Sequence, residues 1–214
     1  EDGPNGIVGT YRLIRQDIAE SNGGFYTSEE FDMSSLVKSD TRCLELGRSC
    51  VLEKYRTKPV IQKLWHGISQ YVTENQIGFL FGCGSFAGTT NIDDISKQLS
   101  YLYHYHLAPL EIRPKALSHR YEDMNLHDIE DLDEKAIFSS LPPLLKGYLR
   151  IGAFVGDGAV IDHDLNMIDV CIVLDTDFVA QRYKAHYEKR NKSPLPSKEL
   201  SSSAHSNVKL DEGF

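Results

Sequence analysis

The sequence has no uninterrupted apolar run near the about 18 residues a membrane-crossing helix needs, so no spanning helix is expected. It is short of positive charge: 23 Lys and Arg face 31 Asp and Glu, a net charge of −8. That balance argues against a generic nucleic-acid binder, because phosphate backbones are held by clustered cations. Cysteine is sparse, with four residues at 43, 50, 83 and 171, and no pair has Cys-x-x-Cys spacing. Three of the four lie in apolar, strand-like runs. Reduced, mostly buried thiols of a cytoplasmic protein are therefore expected, and no structural metal site. There is no internal repeat and no signal-peptide pattern. What remains is ordinary globular usage, 41% hydrophobic and 25% charged over 214 residues, enough for one substantial domain.

Residues 1–6 read as turn chemistry, suited to the tip of a hairpin. Ile7 to Arg15 is β-branched and aromatic and predicts a strand; Arg42 to Leu52 predicts a second, with Gly47 marking a bulge or close backbone approach. Lys58 to Glu74 is the clearest helix, with Pro59 in its first turn and Val60, Leu64, Ile68 and Tyr71 on one face. A glycine-rich apolar strand follows from Gln76 to Phe86, then a helix from Ile92 to His106 behind an Asn91 cap. Pro109 to Asp133 reads as irregular. A helix over Leu141 to Ile151 and strands over Gly152 to Asp162 and Met167 to Leu174 follow, with Asp157-Gly158 read as a tight turn. A terminal helix is expected over Asp177 to Arg190. The order predicts an α/β fold: a mixed central sheet flanked by helices, in one domain over residues 1–190, with a flexible tail over 191–214.

The most informative stretch is Thr41 to Gln62. A strand carrying Glu45 and Arg48 runs into the basic turn Lys54-Tyr55-Arg56-Thr57-Lys58, which opens a helix. Backbone N–H groups at such a helix start, assisted by cationic side chains, suit a phosphate. Taken alone the pattern is also that of any surface strand–turn–helix. His104-Tyr105-His106 and Asp162-His163-Asp164 hold metal-ligand residue types, but histidines two apart on a helix face different ways. Trp65 reads as core.

The blocks CLELGRSCVLEKYRTKPVIQKLWHGISQY, FLFGCGSFAGT, LSYLYHYHLAP and LPPLLKGYLRIGAFVGDGAVIDHD, with the TYRLIR opening, resemble the ornithine N-acyltransferases. These are acyl-carrier-protein-dependent enzymes of the GNAT superfamily, often labelled hemolysin-like. The likeness runs from about Ile7 to Tyr187. More distantly, Arg12-Leu13-Ile14 and Glu45-Leu46-Gly47-Arg48 are similar to paired strand motifs of acyl-homoserine lactone synthases, with glycine where those carry serine.

The resemblance implies a GNAT-type sheet whose N-terminal strand and helices are missing from this chain. It also implies transfer of a (3-hydroxy)fatty acyl group from acyl carrier protein to the α-amine of ornithine, with no tightly bound cofactor. Another amino-acid acceptor, acyl coenzyme A as donor, or a non-catalytic acyl-binding domain are the alternatives. Glu45 would be the general base. Arg48 and Arg12 would pair with it or hold the acceptor's carboxylate. Backbone N–H groups at Ser49, Cys50 and Val51 would polarise the thioester carbonyl where two parallel strands splay, with Cys83, Ser85 and Phe86 on the facing strand. Arg56, Thr57 and Lys58 would meet the phosphopantetheine phosphate. The usual pyrophosphate-loop glycines are absent here and Pro59 lacks an N–H, which favours the single phosphate of a carrier-protein arm over coenzyme A. Residues 181–214 carry seven basic and four acidic side chains, so the −8 divides into +3 there and −11 before it. That basic end suits docking to an acidic carrier protein or peripheral contact with an anionic membrane face.

Overall fold

A computed structural model of the chain describes residues 6–37, 41–56 and 58–179. Its centre is a seven-stranded mixed sheet. In chain order the strands are β1 (Gly9–Arg15), β2 (Phe31–Asp32), β3 (Arg42–Val51), β4 (Ile77–Ala87), β5 (Lys115–Ala116), β6 (Phe154–Asp162) and β7 (Met167–Asp175). They lie in the order β1-β3-β4-β7-β6-β5-β2. β3 and β4 are parallel, whereas β1–β3, β4–β7 and β6–β7 are antiparallel. The helices are α1 (Gln16–Ser21), α2 (Ser34–Val37), α3 (Lys58–Asn75), α4 (Ser96–His106), α5 (Glu134–Ser140) and α6 (Pro143–Ile151). The expected mixed sheet flanked by helices is the architecture found.

Strand alternation divides the core. Leu44, Leu46, Leu80 and Phe86 face α3, α4 and α6, whose Trp65, Ile68, Leu99, Leu102, Leu145 and Leu149 complete one cluster. Cys43, Phe79 and Phe81 point the other way, onto Phe25, Phe31, Met33 and Leu36. The helices earn their places by pattern. Asn91 accepts from the Asp93 N–H as an N-cap, and α6 stops at Gly152 in a left-handed conformation (φ 98°).

One local expectation is corrected and two stretches gain detail. Asp157-Gly158 does not reverse the chain; it is a bulge inside β6, where the register slips between Val155 and Ala159. Gly158 takes φ 88°, and a Cβ there would strike the Tyr121 ring at 2.5 Å. The stretch before the 141–151 helix holds α5, started by an Asp133 cap that accepts from the Ala136 N–H. The 109–133 stretch is laid on the sheet: the Ala108 N–H donates to the Val155 carbonyl, and Glu122 and Ala159 exchange two backbone hydrogen bonds. The expected 177–190 helix begins at residues 176–179; the rest of it, and the 191–214 tail, lie outside the described residues. Among the described residues no helix is long and apolar enough to cross a membrane.

Candidate active site

β3 and β4 pair from Arg42↔Ile77 to Glu45↔Phe81 and no further. Beyond that point β3 follows β1 and β4 follows β7, so the two parallel strands fork. The divergence has a local cause. Between Thr10↔Cys50 and Arg12↔Gly47, β3 carries one residue more than β1, and Arg48 absorbs the excess with φ 49°. Such a bulge bends its strand. The glycine at 47 thus marks the bulge its position predicts. The Leu52 N–H donates to the Val8 carbonyl, so alternation turns the N–H of Val51 to the open side of the fork.

Glu45 sits at the apex, 1% exposed. Its Oε1 accepts from Arg12 Nη2 at 3.1 Å and from Thr27 Oγ1 at 3.4 Å, and its Oε2 accepts from the Tyr26 N–H at 2.9 Å. Of the two arginines considered as its partners, Arg12 forms the ion pair. Arg48 lies over the Tyr26 ring instead, 4.9 Å from its centroid. A Cβ on Gly47 would come within 3.0 Å of Arg12 Nη2, so the glycine that replaces serine leaves space for this guanidinium. Arg12 Nε is buried without a partner.

A second polar group adjoins the first. The Cys83 thiol donates to Glu30 Oε2 at 3.4 Å and approaches Thr27 Oγ1 at 3.9 Å. Glu30 pairs with Arg120 at 3.2 Å, and Ser85 Oγ donates to Asp169. Burial raises the carboxyls of both Glu30 and Asp169 above their ordinary range. Carboxylate oxygens of Glu30, Asp162 and Asp169 lie within 4.8 Å of one another. Burial also pushes the Cys83 thiol up, which keeps it protonated and a poor nucleophile.

The remaining expected residues divide. Ser49 and Cys50 are exposed on the free arm of β3, and Arg56 Nε donates to the Val51 carbonyl at 3.0 Å, at the mouth of the fork. Thr57 lies outside the described residues, as does the side chain of Lys58. Phe86 is not brought to the cluster: it is 5% exposed in the core on the opposite face from Cys83 and Ser85. The histidines singled out do not converge. His104 bonds the His127 carbonyl and His106 the Tyr101 hydroxyl. A cavity of about 480 Å³ lined by Arg15, Asp17, Arg42 and Asn75 lies at the other end of β3 and β4, where the strands are still paired.

Tyr26, Thr27, Glu30 and Asp169 were not singled out from sequence. Asp169 had a usable signal, as the single interior charge in the apolar run MIDVCIVLD of a strand buried on both faces. Glu30 had none, because its role arises from a loop folded onto a distant strand.

No solved structure matches the chain. The model of the acetyltransferase (GNAT) domain family matches residues 1–66. The L-ornithine N(alpha)-acyltransferase of Agrobacterium fabrum is 43% identical over 188 residues, 87% of this chain and 64% of that protein. The Rhizobium meliloti protein of the same name is 43% identical over 188 residues, 87% of this chain and 63% of its own length. The Rhodobacter capsulatus one is 39% identical over 184 residues, 86% of this chain and 70% of that protein. The chain thus spans somewhat less than two thirds of the first two relatives. With its forked mixed sheet and this level of identity, it belongs to the L-ornithine N(alpha)-acyltransferase family, within the GNAT acyltransferases.

Proposed function

We propose that the protein transfers a fatty acyl group from a phosphopantetheine thioester, carried by acyl carrier protein, to the α-amine of ornithine, giving a lyso-ornithine lipid. The observation that carries this reading is the fork itself. A buried carboxylate stands at its apex, the Arg12 and Arg48 guanidinium groups lie on one side and, on the other, a three-carboxylate cluster only partly offset by Arg120 on Glu30. That distribution of charge complements an acceptor with one carboxylate and two amines.

The thioester carbonyl would enter the fork, where the Val51 N–H faces the open side and offers a donor to the developing oxyanion; the Cys50 N–H, by the same alternation, faces β1 and is not available to it. Arg12, with an unpartnered Nε, and Arg48 hold the acceptor's carboxylate; Glu30 and Asp169 face its distal ammonium. Glu45 takes a proton from the α-amine, directly or through one water. The free amine attacks the carbonyl carbon, the N–C bond forms, and collapse of the tetrahedral intermediate breaks the C–S bond. The second proton of the attacking nitrogen leaves with the thiol product.

Arg56 at the mouth of the fork, with the helix start behind it, supports a phosphate-bearing arm. The missing loop glycines and Pro59 favour a single phosphate. The basic residues of 181–214 suit an acidic carrier protein or an anionic membrane face.

Turnover by Glu45→Gln, with folding verified by circular dichroism, tests the assignment of the base. Loss of at least a hundredfold in kcat is expected. Near-normal turnover would remove Glu45 from the role.

A further inference from the structure

Trp65 presents an unanswered donor. It is 8% exposed, yet its indole Nε1 is buried without a hydrogen-bond partner. A buried N–H left unpaired costs about 1–3 kcal/mol, so an oxygen acceptor that reaches it would be bound more tightly for answering it. The residue lines a crevice of about 20 Å³ with Leu46, Leu80, Gly82, Tyr148 and Ile172. That is room for one oxygen-sized group and little more.

The crevice lies under the fork. Leu46 is the first β3 residue after the last β3–β4 pair, and Gly82 is its counterpart on β4. A Cβ on Gly82 would stand 2.2 Å from the Leu46 carbonyl oxygen, so glycine is what lets β4 lie this close to β3 at the seam on the α3 side. The Trp65 ring is held edge-on between Tyr11 and Tyr148, with centroids at 6.3 and 5.9 Å. The two tyrosine hydroxyls pair at 3.2 Å. One hydroxyl proton serves that bond and the other remains to be offered, from a pair of which Tyr148 also lines the crevice.

We propose that Trp65 determines donor specificity: its N–H receives an oxygen acceptor carried on an otherwise aliphatic thioester chain threaded through the fork. This rests on the donor reading above. The oxygen has two possible sources, a carbonyl of the pantetheine–thioester segment or a hydroxyl on the acyl chain.

Trp65 is the sole tryptophan of the 214 residues, so the protein gives one indole N–H resonance from this chain, assigned by its loss in Trp65→Phe. The probes are S-octanoyl-pantetheine and S-(β-hydroxyoctanoyl)-pantetheine, titrated without acceptor. A downfield shift and slowed solvent exchange of the indole proton with both assigns the oxygen to the pantetheine–thioester segment. The same change with the hydroxylated probe alone assigns it to the acyl hydroxyl. In either case Trp65→Phe, which keeps an aromatic ring but drops the N–H, raises the KM of the responding donor about five- to tenfold and spares kcat. An indole resonance indifferent to both probes, in a protein that turns both over, overturns the inference and leaves the acyltransferase reading standing. A shifted resonance without transfer to any amino acid upholds the crevice and sinks that reading instead.

Discussion

Arg12 Nη2 stands 3.1 Å from Glu45 Oε1, where the parallel pairing of β3 and β4 ends. The carboxylate side chain is 2% exposed and its partner 33%, so the guanidinium reaches solvent while the acid does not. Removing the arginine would leave a buried charge held only by Tyr26 and Thr27. Arg12→Met should therefore cost about 3 kcal/mol in denaturant unfolding, and Arg12→Lys clearly less. A loss below about 1 kcal/mol for Arg12→Met would mean that the loop donors suffice.

Gly82 makes a second, steric prediction. Its missing Cβ is what lets β4 approach the Leu46 carbonyl. Gly82→Ala should cost about 2 kcal/mol by overpacking, and should weaken donor binding more than acceptor binding. Calorimetry with separate KM values for the two substrates checks this; unchanged donor KM would detach the seam from the donor path.

These two positions also show what could be read in advance. Glu45 and Gly47 lie in a strand whose pattern and bulge signal are local, so their placement follows from a few neighbouring residues. The glycine content of β4 is legible in the same local way, but that Gly82 in particular meets the Leu46 carbonyl depends on another strand. β2 and β5 are two residues each and exist only because distant segments meet, which no periodicity reports. The same holds for Glu30: the loop from Phe25 to Met33 is fixed by Phe25 against Phe81 and by Tyr26 on Glu45, contacts made across the sheet face. Burial, too, is a tertiary property. Nothing local distinguishes the sealed Glu45 from an exposed strand glutamate, or says which arginine would reach it.

The raised carboxyls set a pH dependence. An acid whose folded pKa lies above its unfolded one binds its proton more tightly when folded, so stability falls as pH rises through that window. Asp169 is such a group, 4% exposed and raised chiefly by burial. Asp169→Asn keeps an acceptor for the Ser85 hydroxyl and removes the buried charge. Its melting temperature should exceed the wild type's by a few degrees at pH 7, with the gain gone near pH 4. On the proposed acceptor placement, which sets this anion against the distal ammonium, the same variant should also raise the KM for ornithine. An equal gain at both pH values would show that the buried charge is not its source.

The central claim is that the fork acylates the α-amine of ornithine. Its most direct test is a competition with one acyl thioester donor and equimolar ornithine, norvaline, glutamine, glycine and lysine, read by fragment mass spectrometry. The account predicts ornithine acylated at the α-nitrogen at least tenfold over norvaline, which has the same chain length but no distal amine. Norvaline acylated as well as ornithine, or acylation at the distal nitrogen, would contradict it.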